Sequence, residues 1–349
     1  MTTTKLYRRK LDLAHGRVDL SHGAGGRAMA QLISEIFKAA LSNDWLEQGN
    51  DQAVLPAPHG RLAMTTDAFV VSPLFFPGGD IGSLAVHGAV NDVAMSGARP
   101  LYLSASFIIE EGFPLADLAR IAQSMGDASR AAGVPVVTGD TKVVERGKAD
   151  GVFISTTAVG VAPEGLTLSG DRARPGDALL ISGSIGDHGV AIMSKRENLE
   201  FDCEITSDSA ALHGLVADMV AAVGDALRLM RDPTRGGVAA TLNEIAQQSG
   251  VGFRIEETAI PVKPEVAAAC ELLGLDPLNV ANEGKLLAVV APDRAEALLA
   301  AMRAHPLGRD AAIIGAAVAD ERRFVQMTSS FGGSRIVDWL AGEQLPRIC

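Results

Sequence analysis

Five aspartates, Asp51, Asp67, Asp92, Asp140 and Asp232, recur at or near the expected boundaries of elements, each beside Gly, Thr, Asn or Pro. Singly, each reads as a turn former or cap, because a short carboxylate bonds readily to its own backbone. Together, with glycine-rich loops between them, they read as converging ligands for a hard cation, since Mg2+ takes carboxylate oxygens, phosphate oxygens and water. Residues 21–26 (SHGAGG) run directly into a helical pattern. A glycine loop opening a helix turns free N–H groups and a positive dipole end toward an anion; a plain flexible cap is the other reading of the same residues. Neither GxxxxGKS/T nor GxGxxG occurs, which excludes P-loop and Rossmann binding, and no His/Cys cluster has zinc spacing. The residues alone therefore describe an acidic, Gly-rich metal–phosphate site.

One further group could do chemistry. Cys349 is the last residue, so its thiol ends an arm of chain beside a terminal carboxylate that disfavours thiolate. It reads either as an incidental cysteine on a frayed end or as a thiol that swings into a site or is loaded by another protein. Cys203 and Cys270 show no paired spacing and no CxxC, and a reducing cytoplasm is the expected compartment. Cys270 falls on the apolar side of a helix expected over 265–273 and reads as an inert core thiol. His22, His87 and His188 read as structural or orienting groups.

Composition narrows the class. The 349 residues are 47% hydrophobic, 21% charged and 4% aromatic, which suits two globular domains packed with Ala, Val and Leu. A net charge of −11 argues against a nucleic-acid partner. The longest apolar runs fall short of the ~20 residues a membrane helix needs, so no membrane partner is expected. Residues 1–10 carry Lys5, Arg8, Arg9 and Lys10 with no apolar stretch after them, so they are no secretory signal. A disordered lead over 1–15 is expected.

The elements that must position these groups follow from periodicity. Met29, Leu32, Ile33, Ile36 and Phe37 mark one helix behind the glycine loop. Residues 50–54 and 63–69 read as strand-plus-turn segments, each with an aspartate at its strand's end. A helix over 83–95 carries Leu84, His87, Asn91 and Met95 along one side. A strand over 101–109, a helix over 114–132 ended by Gly133, and strands over 134–137 and 151–161 complete a first domain. Residues 163–176, rich in Pro and Gly, are the junction. A second α/β unit follows: a strand over 178–182, a turn over 184–189, a helix over 210–223, the DPTRGG turn at 232–237 before another helix, and a strand over 286–290.

The order of segments carries a resemblance. DQA at 51–53, Thr66-Asp67, VNDVAMSGA at 90–98, TGDT at 138–141 and DPTRGG at 232–237 resemble the ATP-binding superfamily of aminoimidazole ribonucleotide synthetase, thiamine-monophosphate kinase and selenophosphate synthetase. Within it, HGAGG at 22–26, ANEGK at 281–285 and above all the terminal PRIC at 346–349 are similar to HypE, a family of hydrogenase maturation factors that are carbamoyl dehydratases.

That resemblance implies an α+β, two-domain PurM-like fold. Its ATP-binding, dimer-forming domain would span 16–165, its sheet pairing into a barrel in a homodimer. An α/β sandwich would span 175–337, and a mobile tail 338–349 would end in the carrier cysteine. It implies that HypF carbamoylates Cys349, that ATP and Mg2+ dehydrate the group to a thiocyanate, and that cyanide passes to iron on a HypC–HypD complex for the [NiFe]-hydrogenase centre. The implied catalytic residues are Cys349, Lys142 and Glu283. Nucleotide would be held by Gly23, Gly25, Gly26, Asn91, Asp140, Thr141 and Arg235, and metal by Asp51, Asp67, Asp92 and Asp232. Two competing expectations remain: another small-molecule kinase or synthetase of the superfamily, for which Cys349 is irrelevant, and a nucleotide-sensing scaffold without turnover.

Overall fold

The computed structural model describes residues 10–199, 205–340, 342 and 345–349. Residues 1–9 of the expected lead, and Cys203, lie outside them. Residues 11–15 of the expected lead are ordered: Leu11 packs against the first core, and its N–H donates to Glu35 over 2.8 Å.

Among the described residues, the first domain runs α1 (Arg27–Leu32), a π-helical stretch (Ile33–Lys38), α2 (Ala39–Leu41), β1 (Arg61–Phe69), β2 (Phe75–Phe76), β3 (Gly79–Asp80), α3 (Ile81–Met95), β4 (Arg99–Glu110), α4 (Leu115–Ala132), β5 (Val136–Val144) and β6 (Val152–Ala162). The second runs β7 (Ala178–Ile181), α5 (Asp187–Arg196), α6 (His213–Val223), β8 (Leu227–Arg231), α7 (Gly237–Ser249), β9 (Gly252–Glu256), α8 (Pro264–Leu273), β10 (Leu287–Val290), α9 (Ala295–Ala304), β11 (Ala312–Val318), β12 (Val325–Thr328) and β13 (Ser334–Ile336).

Among the described residues, the first domain is a four-stranded sheet in the order β1-β6-β4-β5, with helices on one face. Leu118, Ile121, Ala122 and Met125 form the buried stripe of α4, and Gly133 in the left-handed region closes it. Helix α3 is buried nearly all round, so a polar residue inside it needs a reason. Its Asp80 cap accepts from the N–H groups of Gly82 and Ser83. The opposite face of the sheet carries Leu62, Met64 and Ile108 exposed, the middle one at 73%. Strand parity sets this: Thr65, Asp67 and Phe69 face the helices, while Leu62, Met64, Thr66 and Ala68 face away.

The second domain is a seven-stranded sheet, β13-β12-β9-β11-β7-β10-β8, covered on both faces. Leu287 and Val289 of β10 point to α7, while Ala288 and Val290 point to α6 and α9. A strand covered on both sides has no polar face, which is why β7 and β10 read as unbroken apolar runs. No helix among the described residues is long and apolar enough to cross a membrane.

Four expectations need correction. Residues 50–54 form no strand; they lie in a mostly exposed loop with Val54 70% exposed, and no sheet edge reaches them. The strand expected to stop at 137 runs on to Val144, because β4 pairs with it through Glu110, so Asp140 and Lys142 are strand residues and not turn residues. Asp67 sits inside β1, not at its end. The turn at 184–189 closes at Gly186 in the left-handed region, and Asp187 already opens α5.

Candidate active site

Carboxylates from both domains meet between β1, α3, the segment after β8 and the loop before β10. Asp67 lies on the helix-facing side of β1, and the Thr65 hydroxyl, one side chain along that face, donates to Asp92 Oδ2 over 2.7 Å. Asp92 sits near the C-terminal end of α3, where the dipole disfavours an anion, so the placement serves something other than helix stability. Burial pushes the Asp67 and Asp92 carboxyls up; the Asp67 charge raises Asp92 further, and Arg235 partly relieves Asp67. Asp232, immediately after β8, is pushed up to about 7, first by burial and then by the Asp92 charge. Glu283 is raised well above the usual carboxylate range by burial and then by Asp232, Asp208, Asp67 and Asp92, and its Oε1 is buried without a hydrogen-bond partner.

The loop that carries Glu283 is tied on every side. Asn282 accepts from the Gly186 N–H and donates to the Pro233 and Val280 carbonyls. The Glu283 N–H donates to Asp208 Oδ1 over 3.0 Å, and Lys285 holds the other oxygen of that carboxylate at 3.1 Å. A Cβ on Gly284 would stand 1.7 Å from the Asp208 carbonyl oxygen, so only glycine lets the two segments approach. Asn91, 1% exposed, donates to the Ala210 and Glu283 carbonyls and accepts from the Leu212 N–H. Its amide is spent bracing α3 against the second domain.

An oxygen-only set of mutually repelling, half-desolvated carboxylates suits a hard divalent cation. Among the described residues, no group of three or more His, Cys, Asp or Glu is arranged to hold a metal by itself.

The terminal residues enter this site. The Ser72 N–H donates to the Arg347 carbonyl over 3.1 Å, and the Val70 N–H to the Cys349 carbonyl over 3.0 Å, so the tail lies alongside the chain that leaves β1. Ile348 is 2% exposed and packs into the first core. Arg347 donates from Nε to the Val70 carbonyl and pairs with Asp150. The Cys349 thiol is pushed up to about 12, first by burial and then by Glu283, with Arg235 acting the other way. The tail expected to be mobile is thus docked inward at its end; Gln344 and its neighbours Ala341 and Glu343 lie outside the described residues.

The remaining expected site residues are elsewhere. Asp140 and Lys142 are ion-paired at 2.6 Å, and both are exposed on the open face of the sheet, paired in register with Ser106 and Ile108. The Lys142–Asp140 hydrogen bond holds that carboxyl below its usual range. Thr141 alternates to the buried face. The glycine loop lies near β5: a Cβ on Gly23 would meet the Val143 backbone nitrogen at 2.8 Å, Gly25 has a φ of 76°, and Gly26 caps α1. Asp51 lies exposed in the loop ahead of β1 and is not among the charges acting on the buried carboxylates. The structure therefore joins Asp67, Asp92, Asp232, Glu283, Arg235 and Cys349, and leaves Asp140 and Lys142 across the sheet from them. Asp208, which sequence reasoning missed, belongs with the first group; as one polar residue among 206–209 (TSDS) it carried no spacing signal.

Comparison with known proteins gives two family matches: the N-terminal domain of AIR synthase related proteins over residues 49–162 and the C-terminal domain over residues 174–328. A Rhizobium leguminosarum bv. viciae protein named carbamoyl dehydratase HypE is 76% identical over 345 residues, covering 99% of both chains. A crystal structure of hydrogenase maturation protein HypE in complex with ATP superposes with a TM-score of 0.91 at 52% identity, over 95% of this chain and 99% of that one. A crystal structure of a HypE–HypF complex matches at TM-score 0.78 and 51% identity, over 88% of this chain and 99% of that one.

Proposed function

This chain belongs to the carbamoyl dehydratase HypE family of AIR synthase related proteins, and on that premise we propose that it is an ATP-dependent carbamoyl dehydratase of hydrogenase maturation, working on a carbamoyl group carried by its own Cys349. The observation that carries this reading is the terminal cysteine itself, docked among Glu283, Asp67 and Arg235 instead of standing free.

In the proposed reaction, the oxygen of S–C(=O)NH2 takes the γ-phosphoryl group of ATP, turning a hopeless leaving group into phosphate. One N–H proton goes to Glu283 and the other leaves with the departing phosphate, the C–O bond breaks, and S–C≡N forms beside ADP and phosphate. Glu283 takes a proton: a buried carboxylate with a raised proton affinity and a free oxygen is a competent general base once its neighbours' charges are neutralised. Asp67, Asp92 and Asp232 are the proposed Mg2+ ligands, with Asp51 the remaining candidate, and the ion would supply neutralisation of phosphate charge.

Loading must occur with the tail out. Carbamoyl transfer needs a nucleophilic thiolate, and a thiol pushed up to about 12 is almost wholly protonated near neutral pH. A partner such as the HypF in the similar complex would therefore meet Cys349 in solvent, where burial no longer acts on it. The cyanide product would leave for a HypC–HypD complex.

Asp140 and Lys142 call for a second copy. Three strand spacings separate β5 from β1, roughly 14 Å, and the two residues face the uncovered side. The exposed Leu62, Met64 and Ile108 on that same side, with edge strands β1 and β5, suit closure against a partner's sheet into a barrel. In that homodimer, Lys142, Asp140 and the glycine loop would hold the nucleotide for a neighbouring carboxylate cluster.

The test is an intact-mass measurement. Incubated with HypF, carbamoyl phosphate and ATP, the wild type should gain a carbamoyl group and then lose water only with Mg2+ and ATP, while Cys349→Ala gains nothing. An adduct on another residue, or none, refutes the proposal and favours a small-molecule kinase or synthetase. ATP hydrolysis coupled to water loss excludes a scaffold without turnover.

A further inference from the structure

Helix α5 touches the docked tail at both of its ends. In its first turn, His188 is fully buried, with Nε2 2.8 Å from the Ile348 carbonyl and Nδ1 2.8 Å from the Ser207 hydroxyl. A carbonyl only accepts, so Nε2 carries the proton and Nδ1 accepts from Ser207, whose oxygen in turn accepts from the Ser209 N–H over 3.1 Å. The Phe76 ring stands edge-on to the imidazole, with centroids 5.6 Å apart, and fixes its plane. In the last turn, Arg196 donates from Nη2 to the Arg347 carbonyl over 2.9 Å, and from Nε and Nη2 to the Ser72 carbonyl over 3.0 and 2.6 Å.

Each of the last three carbonyls thus has a donor, and α5 supplies two of the donating groups. These contacts read backbone, so they exist only while the tail is docked and do not depend on what the thiol carries. The arrangement also opposes itself: burial first, and then the Arg347 guanidinium that docking brings close, disfavour the Arg196 charge, while Glu197 acts the other way and Asp150 pairs with Arg347. A latch that must open for loading has to be held by a modest surplus, and a few hydrogen bonds, one of them to the tail from the Arg196 guanidinium, against one charge repulsion are of that scale.

We propose that α5 is the latch of the carrier tail, with His188 and Arg196 as positioning residues that set how much of the time Cys349 occupies the reaction site. The catalytic part of the test rests on the dehydratase reading above; the thiol-reactivity part does not.

In the unloaded protein the docked thiol is half-buried and held protonated beside Glu283, so iodoacetamide reacts chiefly with the undocked fraction. Alkylation is followed by intact mass, with Cys349→Ala as the blank for the other thiols. Arg196→Ala should speed alkylation on the order of tenfold, the equivalent of one lost hydrogen bond. His188→Phe keeps the ring volume and should do the same; because His188 is fully buried, its far-UV spectrum and melting are checked first, and Arg196→Ala, on a half-buried side chain, carries the test if that variant misfolds. Carbamoylation by HypF should be as fast as wild type or faster, while water loss from the loaded chain slows by a similar factor, and Arg196→Lys should recover part of both. Effects of opposite sign on loading and dehydration distinguish a latch from general damage. Equal alkylation rates in wild type and variants overturn the proposal, and so does a parallel fall in loading and dehydration. Faster alkylation without any water loss in the wild type leaves the latch standing and refutes the dehydratase reading.

Discussion

The half-buried Cys349 thiol lies within reach of the buried Glu283 carboxylate: after burial, that carboxylate is the largest influence holding the thiol at about 12. In the proposed reaction a nucleophile would thereby be silenced where the product forms, and the same carboxylate would accept a proton from a group on that sulfur.

Glu283→Gln should therefore load normally and fail to dehydrate, with water loss slowed by at least ~100-fold, as expected for a lost general base. The same substitution removes a repelling charge, so the docked thiol should titrate below about 12, read from the pH dependence of the thiolate ultraviolet absorbance against Cys349→Ala as the blank.

Asp232 sets a pH dependence of stability. Its folded value, about 7, lies above the unfolded value of 3.8, so the folded state binds the proton more tightly. The resulting stability is fully present below about pH 4 and is lost as pH rises through about 7, up to ~4 kcal/mol if nothing else relaxes. Asp232→Asn should melt higher than wild type at pH 8 and similarly near pH 4. Mg2+ with ATP should raise the wild-type melting temperature more at pH 8 than the variant's, measured by scanning calorimetry.

Gly284→Ala should destabilise the protein by about 2–3 kcal/mol, because the added carbon would lie 1.7 Å from the Asp208 carbonyl oxygen in a tightly tied loop. Urea unfolding reads the stability. Any folded fraction should also load without dehydrating, since Glu283 and Asp208 move together.

Mixing two inactive chains tests the shared site. Lys142→Ala and Cys349→Ala, each inactive alone in dehydration, should recover water loss after refolding together, because a mixed dimer carries an intact Cys349 in one chain and an intact Lys142 in the other. Failure to recover, with dimers present by light scattering, would mean that Lys142 acts within its own chain.

Much of the local architecture was legible in the chain. Leu115, Leu118, Ile121 and Met125 repeat at helical spacing and are all buried, and Gly133 ends that helix in a left-handed turn. Local spacing decides such elements because a helix's neighbours are its own residues. Part of the acidic cluster was legible as well: Asp67, Asp92, Asp232 and Glu283 stand out in the sequence and lie together in the structure, whereas Asp208 carried no signal.

Which carboxylates act together was decided by tertiary structure. Asp67 and Asp140 look equivalent in sequence, each beside Thr, but strand parity and a one-sided helical cover put one inside the site and the other on the open face. The fate of Cys349 was decided in the same way. Its thiol chemistry follows from residue type, but its burial depends on Val70, Ser72, His188 and Arg196, all more than 150 residues away in the chain. Composition and periodicity report what a residue can do and how its immediate neighbours fold; which distant groups desolvate it is fixed only when the two domains and the tail pack together.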